Sequence, residues 1–81
     1  QNTNFITTVT SISGTENNYF YIPKNQSGYL LFSVIATGQA DVAVESIAVV
    51  GDYYTIRCNT ALTSGNAYTF AVLWAKVGIN A

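Results

Sequence analysis

VAVESIAVVGDYYTIRCNTA, residues 42–61, contains two apolar runs on either side of the pair Gly51-Asp52. Glycine at the first of two loop positions is typical of a tight β-hairpin, so this stretch predicts two antiparallel strands joined by a two-residue turn. A register shift of one residue would move every side chain to the other side, so the apolar pattern fixes the pairing. The predicted pairs on the apolar side are Val49 with Tyr54, Ile47 with Ile56 and Glu45 with Cys58; those on the other side are Val50 with Tyr53, Ala48 with Thr55 and Ser46 with Arg57.

The rest of the chain has the same strand character. Val, Ile, Thr, Tyr and Phe recur, Met is absent, and clusters of Gly, Pro, Asn and Ser interrupt the apolar runs. These signals predict strands near residues 5–12, 18–22, 29–37, 42–50, 53–61 and 67–77. Short strands at regular spacing predict an all-β fold, a small antiparallel β-sandwich or jelly-roll-like domain that takes up residues 1–81. Because the chain begins with Gln1 and not with methionine, we expect it to be the C-terminal fragment of a longer protein.

Two of the predicted strands are apolar on both faces. In residues 67–77 one face holds Tyr68, Phe70, Val72 and Trp74 and the other holds mainly Ala, Leu and Val. In residues 29–36 the alternation places Leu30, Phe32, Val34 and Ala36 on one face and Tyr29, Leu31 and Ile35 on the other. A sandwich of 81 residues normally leaves the outer face of each sheet in water, so this excess predicts that copies of the chain associate through a subunit interface.

Composition argues against several functions. Three Lys and Arg residues cannot form the basic surface that nucleic acids need, and no apolar run approaches the length of a membrane-spanning helix. The chain has no His and a single cysteine, Cys58, which leaves neither a disulfide framework nor the usual zinc site. Asp41, Glu45 and Asp52 do not follow the spacing of a calcium loop, so we expect no metal and no cofactor. Without His or a recognisable catalytic motif, the sequence does not predict an enzyme.

The candidate binding residues lie mostly in NNYFYIPKN, residues 17–25. Along a strand Tyr19 and Tyr21 point one way, while Phe20 and Ile22 point the other way and are expected in the core. One interpretation is that the tyrosines pack against a neighbouring subunit; the other is that they offer aromatic rings to a ligand. A third exposed tyrosine, Tyr53, is expected beside the Gly51-Asp52 turn. The predicted ligand-binding residues are Asn17, Asn18, Tyr19, Tyr21 and Tyr53.

Two resemblances to known families bear on these expectations. LTSGNAYTF, residues 62–70, resembles the turn and tyrosine of fibronectin type III and related sandwich modules, which implies that Tyr68 closes a corner of the fold. That family's early core tryptophan is missing here, and too few residues follow for its last strand. The short, charge-poor, all-β chain rich in Asn, Thr and Ser is also similar to the distal tip domain of a bacteriophage tail fibre or tailspike.

The second resemblance implies a trimeric receptor-binding tip on a virion or outside the cell, which recognises a glycan or protein on the host surface. One alternative is a purely structural module that trimerises, caps a fibre or decorates a capsid. A third is a carbohydrate-binding module of a secreted protein. Nucleic acid binding and membrane insertion are not expected of any of them.

Overall fold

The chain is all β. A computed structural model describes residues 4–78, and these contain six strands and no helix. The strands are β1 (Phe5–Ser13), β2 (Tyr19–Pro23), β3 (Tyr29–Ala36), β4 (Val44–Val50), β5 (Tyr53–Cys58) and β6 (Ala67–Lys76). The positions confirm the sequence prediction; the largest difference is that β5 ends at Cys58 and not at residue 61.

The strands form two three-stranded antiparallel sheets that face each other as a sandwich. One has the order β1-β6-β3 and the other has the order β2-β5-β4. We name them the β6 sheet and the β5 sheet after their central strands. Only β4 and β5 are joined as a hairpin within one sheet, and every other connection crosses to the opposite sheet. The predicted sandwich is therefore confirmed.

The β4–β5 hairpin has the predicted register over most of its length. Val49 pairs with Tyr54 and Ile47 with Ile56, and Gly51 has the positive φ of 58° that a turn with glycine first requires. The predicted pairing of Glu45 with Cys58 is wrong. The register shifts between Val44 and Ser46, so Val44 faces Cys58. This bulge leaves the Glu45 carboxylate exposed. The predicted pairing would have placed the carboxylate opposite the buried thiol, where it would lose its water at a cost in free energy.

The core lies between the two central strands. Phe20 and Phe70 bring their ring centroids to 4.5 Å across it, which confirms the predicted inward direction of Phe20. Trp74 is buried as predicted and donates a 3.0 Å hydrogen bond from Nε1 to Oγ1 of Thr8, so its one polar atom is paired. The buried residues are Phe20, Ile22, Val34, Tyr54, Ile56, Cys58, Leu62, Tyr68, Phe70, Val72 and Trp74.

The predicted alternation along β3 is wrong beyond Leu31. The register with β6 shifts between Leu31 and Ser33, so Val34 enters the core while Phe32 is 64% exposed. Such a bulge interrupts the ladder, and the backbone N–H of Leu31 instead donates to the hydroxyl of Tyr54 at 3.3 Å. Tyr54 thus joins the two sheets through the core.

The corner implied by the fibronectin type III resemblance is present. The hydroxyl of Tyr68 accepts a 2.8 Å hydrogen bond from the backbone N–H of Thr63, and the hydrogen bonds from Thr63 lower the pKa of Tyr68 below its ordinary value. Glu16 fixes the same turn from the other side, since its carboxylate accepts from the N–H of Ser64 at 2.6 Å. These bonds hold the crossing from β5 to β6.

The outer face of the β6 sheet is rich in exposed apolar side chains, and Lys76, at the end of β6, is the charged strand residue beside it. Phe5 and Phe32 bring their ring centroids to 6.2 Å there, and a hollow of about 500 Å³ lies beside them. Within one chain the second face of β6 is only half-buried, so a single copy does not cover both faces of that strand. We call this surface the apolar face; its larger members are Phe5, Val9, Leu30, Phe32, Ile35 and Leu73.

Candidate functional site

The outer face of the β5 sheet brings the three predicted tyrosines together. The pairing of β2 with β5 sets Tyr19 opposite Arg57 and Pro23 opposite Tyr53. The centroid distance is 5.8 Å between Tyr19 and Tyr21 and 6.2 Å between Tyr21 and Tyr53. We call this surface the tyrosine face. It lies on the opposite side of the sandwich from the apolar face, because each is the outer face of a different sheet.

The rings of the tyrosine face do not form a flat platform. Neighbouring ring planes meet at 63° in both pairs. Tyr21 is 55% and Tyr53 50% exposed, and together with Val50 they line an open hollow of about 270 Å³. A ligand can therefore stack on one ring and touch the edge of the other, with its polar groups left in water.

Asn18 and Tyr19 both contact Arg57. The Arg57 guanidinium carbon lies 5.3 Å from the centroid of the Tyr19 ring, in the range of a cation–π contact. Asn18 accepts a 3.4 Å hydrogen bond from Arg57 Nη1 through its Oδ1. Sequence reasoning missed Arg57, because its place beside Tyr19 depends on the pairing of β2 with β5, which no local signal predicts. Arg57 adds the positive charge of this surface.

Asn17 lies at a second hollow, on the side of β2 that faces β1. This hollow has a volume of about 430 Å³, and Tyr19 and Tyr21 line it as well. The Asn17 amide donates to the Thr15 hydroxyl at 3.3 Å and is otherwise exposed to solvent. The remaining lining residues are Ile12, Ser13, Thr15, Phe20 and Leu62. Tyr21 stands between the two hollows, so all five predicted residues belong to one continuous region.

The aromatic rings, amides and guanidinium of this region suit binding by stacking and hydrogen bonding.

The one thiol of the chain, Cys58, is buried beneath the sheet. Burial, with a smaller contribution from the Glu45 carboxylate, raises the pKa of this thiol above its ordinary value. Among residues 4–78 no group of three His, Cys, Asp or Glu side chains is placed to hold a metal ion. The same part of the chain includes no helix of sufficient length and apolar character to cross a membrane.

Comparisons of the chain with protein families, with curated protein sequences and with solved structures gave no match. The function has to follow from the geometry of these surfaces.

Proposed function

We propose that the domain is the receptor-binding tip of a viral fibre or spike, of the kind carried by bacteriophages, and that it recognises a host surface glycan through the tyrosine face. The observation that supports this proposal is the meeting of Tyr21 and Tyr53, from separate segments of the chain, around one exposed hollow. Exposed tyrosines are well suited to recognition because a rigid apolar ring carries a polar hydroxyl.

A sugar fits this surface better than an apolar ligand does. The apolar side of a sugar ring can stack on Tyr21 or Tyr53, while its hydroxyls can reach the Asn17 amide or the Arg57 guanidinium. In this proposal the domain acts by binding and not by catalysis, and it works on a virion or outside the cell.

The proposed assembly is a homotrimer whose three apolar faces meet at a common axis. Full burial of a side chain such as Phe32, Leu30 or Ile35 contributes roughly 1.5–3 kcal/mol, which gives this face a strong tendency to associate. The one charged strand residue beside this face, Lys76, lies at the end of β6, so like charges need not oppose each other at the centre of the contact. In such a trimer the three tyrosine faces point outward.

A purely structural role is the second candidate, and the size of the apolar face favours it. A module that only joins three chains, caps a fibre or decorates a capsid would need the apolar face and would not need the tyrosine face. Mutations in the tyrosine face should therefore impair the receptor-binding function and leave the structural function intact, whereas mutations in the apolar face should impair both.

Binding to a glycan array tests the first proposal. We expect the wild-type domain to bind a defined set of glycans, and Tyr21→Ala or Tyr53→Ala to weaken that binding by about tenfold. The matched controls Tyr21→Phe and Tyr53→Phe keep the rings and should keep most of the affinity. Unchanged binding by both alanine variants would contradict the proposed site. No binding by the wild-type domain would favour the structural module.

A further inference from the structure

Among residues 4–78 the sandwich has four sheet edges, and three of them carry features that hinder the pairing of an additional strand. β3 has a bulge between Leu31 and Ser33, and β4 has one between Val44 and Ser46. β2 is only five residues long and ends in Pro23, which lacks a backbone N–H. Bulges, prolines and short length are the means by which proteins protect sheet edges from unwanted pairing.

The fourth edge, β1, has none of these features. It is nine residues long, FITTVTSIS, and its register with β6 is unbroken from Phe5 to Ser13. It contains no charged residue, no proline and no glycine. A long, regular, uncharged edge strand offers a row of backbone groups to which another strand can bind.

The outward backbone groups of β1 can be identified from the ends of its ladder. Lys76 donates from its N–H to the carbonyl of Asn4 at 2.8 Å, and Gly14 donates from its N–H to the carbonyl of Asn66 at 2.9 Å. Because hydrogen-bonded pairs alternate along an antiparallel ladder, the even-numbered residues of β1 point their backbone groups toward β6. The odd-numbered ones point away from the sheet, and within residues 4–78 no strand pairs with that side.

We propose that this edge binds the β1 strand of a second copy of the chain, antiparallel and about a two-fold axis at Val9. The sequence of β1 reads nearly the same in both directions from Val9, so the two strands match each other residue by residue. The pairs across the two copies are Val9 with Val9, Thr8 with Thr10, Thr7 with Ser11 and Ile6 with Ile12.

These pairs satisfy the requirements of a stable antiparallel ladder. Odd-numbered residues of one copy lie opposite odd-numbered residues of the other, so the outward N–H groups of each strand can donate to the outward C=O groups of its partner. Inward side chains meet inward ones, Ile6 with Ile12 and Thr8 with Thr10, and outward ones meet outward ones. Pairs of β-branched residues and of hydroxyl residues stabilise neighbouring strands, and no like charges are opposed.

The β5 sheet does not cover this edge. Two hollows, of about 430 and 200 Å³, separate β1 from β2, and Thr8 and Thr10 line the smaller one. A second copy can therefore reach β1 without displacing a strand. This contact is made by the backbone edge of β1, although the side chains of Phe5 and Val9 also belong to the apolar face, and it goes beyond the proposed function because it does not require the trimer.

Cysteine cross-linking tests the register directly. In the proposed pair the two Val9 residues are directly opposite, with Cα atoms about 5.5 Å apart, so Val9→Cys should form a disulfide-linked dimer under mild oxidation. Thr7→Cys alone and Ser11→Cys alone should not form a dimer. In the proposed register the same residue of the two copies is offset by four positions along the paired strands, about 13 Å. An equimolar mixture of the Thr7→Cys and Ser11→Cys variants should form the mixed dimer. The native thiol does not interfere, since Cys58 is buried.

Proline substitution provides the second measurement. Ser11→Pro removes an outward N–H without breaking the ladder with β6, so it should abolish cross-linking of Val9→Cys, whereas Ser11→Ala should leave it intact. Circular dichroism would check that both variants keep the fold. Absence of the Val9→Cys dimer would overturn the proposal. Cross-linking of Ser11→Cys with itself as readily as Val9→Cys would also overturn it, and would fit a three-fold contact through the apolar face.

Discussion

The fold leaves no room for a side chain at the position of Gly14. A Cβ atom at this position would overlap the backbone carbonyl oxygen of Thr63 and come within 2.6 Å of that of Leu62. The close approach exists because Gly14 follows β1 and bridges to Ser64, where the chain turns toward β6. Backbone atoms cannot move aside as a flexible side chain can.

We expect Gly14→Ala to lower the free energy of unfolding by about 2 kcal/mol, the usual cost of overpacking. Urea denaturation would measure it. The matched control is Gly51→Asn, because Gly51 has open space around it and asparagine tolerates its positive φ. Equal stability of Gly14→Ala and the wild type would show that this turn is loose.

Cys58 gives the stability a pH dependence. Its folded-state pKa is raised above the ordinary value of 9.0 by burial first and by Glu45 second. Below that pH the thiol is protonated in both states; above it the unfolded state loses its proton first, so rising pH favours unfolding until the folded-state pKa is passed. We expect the stability advantage of the wild type over Cys58→Ala to shrink as the pH rises through the ordinary pKa of 9.0. Parallel stability curves would contradict this expectation.

Side-chain direction within regular stretches of strand was predictable at the residue scale, whereas contacts between strands outside the β4–β5 hairpin were not. The period of two along a strand is enough to send Phe20 inward and Tyr21 outward. The contact of Arg57 with Tyr19 required the order of strands in the β5 sheet. The sequence therefore predicted the outward direction of the tyrosines on the tyrosine face and missed the arginine beside them.

At the scale of elements, the two bulges explain where the sequence prediction failed. The hydrophobic pattern located all six strands, because each apolar run ends at a recognisable turn. The bulges at Phe32 and Glu45 depend on the pairing with the neighbouring strand, so no local sequence pattern predicts them. In β3 the bulge exposes Phe32, and the backbone N–H of Leu31 donates a hydrogen bond to the hydroxyl of Tyr54.

The bond from Leu31 to Tyr54 makes the β3 bulge testable. Tyr54→Phe removes the hydroxyl and leaves the half-buried N–H of Leu31 without its partner, so we expect a loss of about 1 kcal/mol in the free energy of unfolding. The control Tyr21→Phe, at an exposed position, should change stability by less than about 0.5 kcal/mol. Equal effects of the two substitutions in chemical denaturation would argue against a role for this bond.

On the scale of the whole molecule, the two outer faces of the sandwich differ in chemistry. One holds the exposed Tyr21 and Tyr53 beside Arg57, and the other holds Phe5, Leu30 and Phe32, with Lys76 at its margin. Because the faces point in opposite directions, copies that associate through the apolar face leave the tyrosine face open to a ligand. The fold thus separates the surface proposed for assembly from the surface proposed for recognition.

The most direct test of this account is the mass of the domain in solution, measured by light scattering after size exclusion across a dilution series. A chain of 8.7 kDa that associates as proposed gives a mass that is a multiple of three chains, and Phe32→Glu, which places a charge in the apolar face, gives a smaller particle. A folded monomer at every concentration would contradict the account, since the apolar face would then lie open to water.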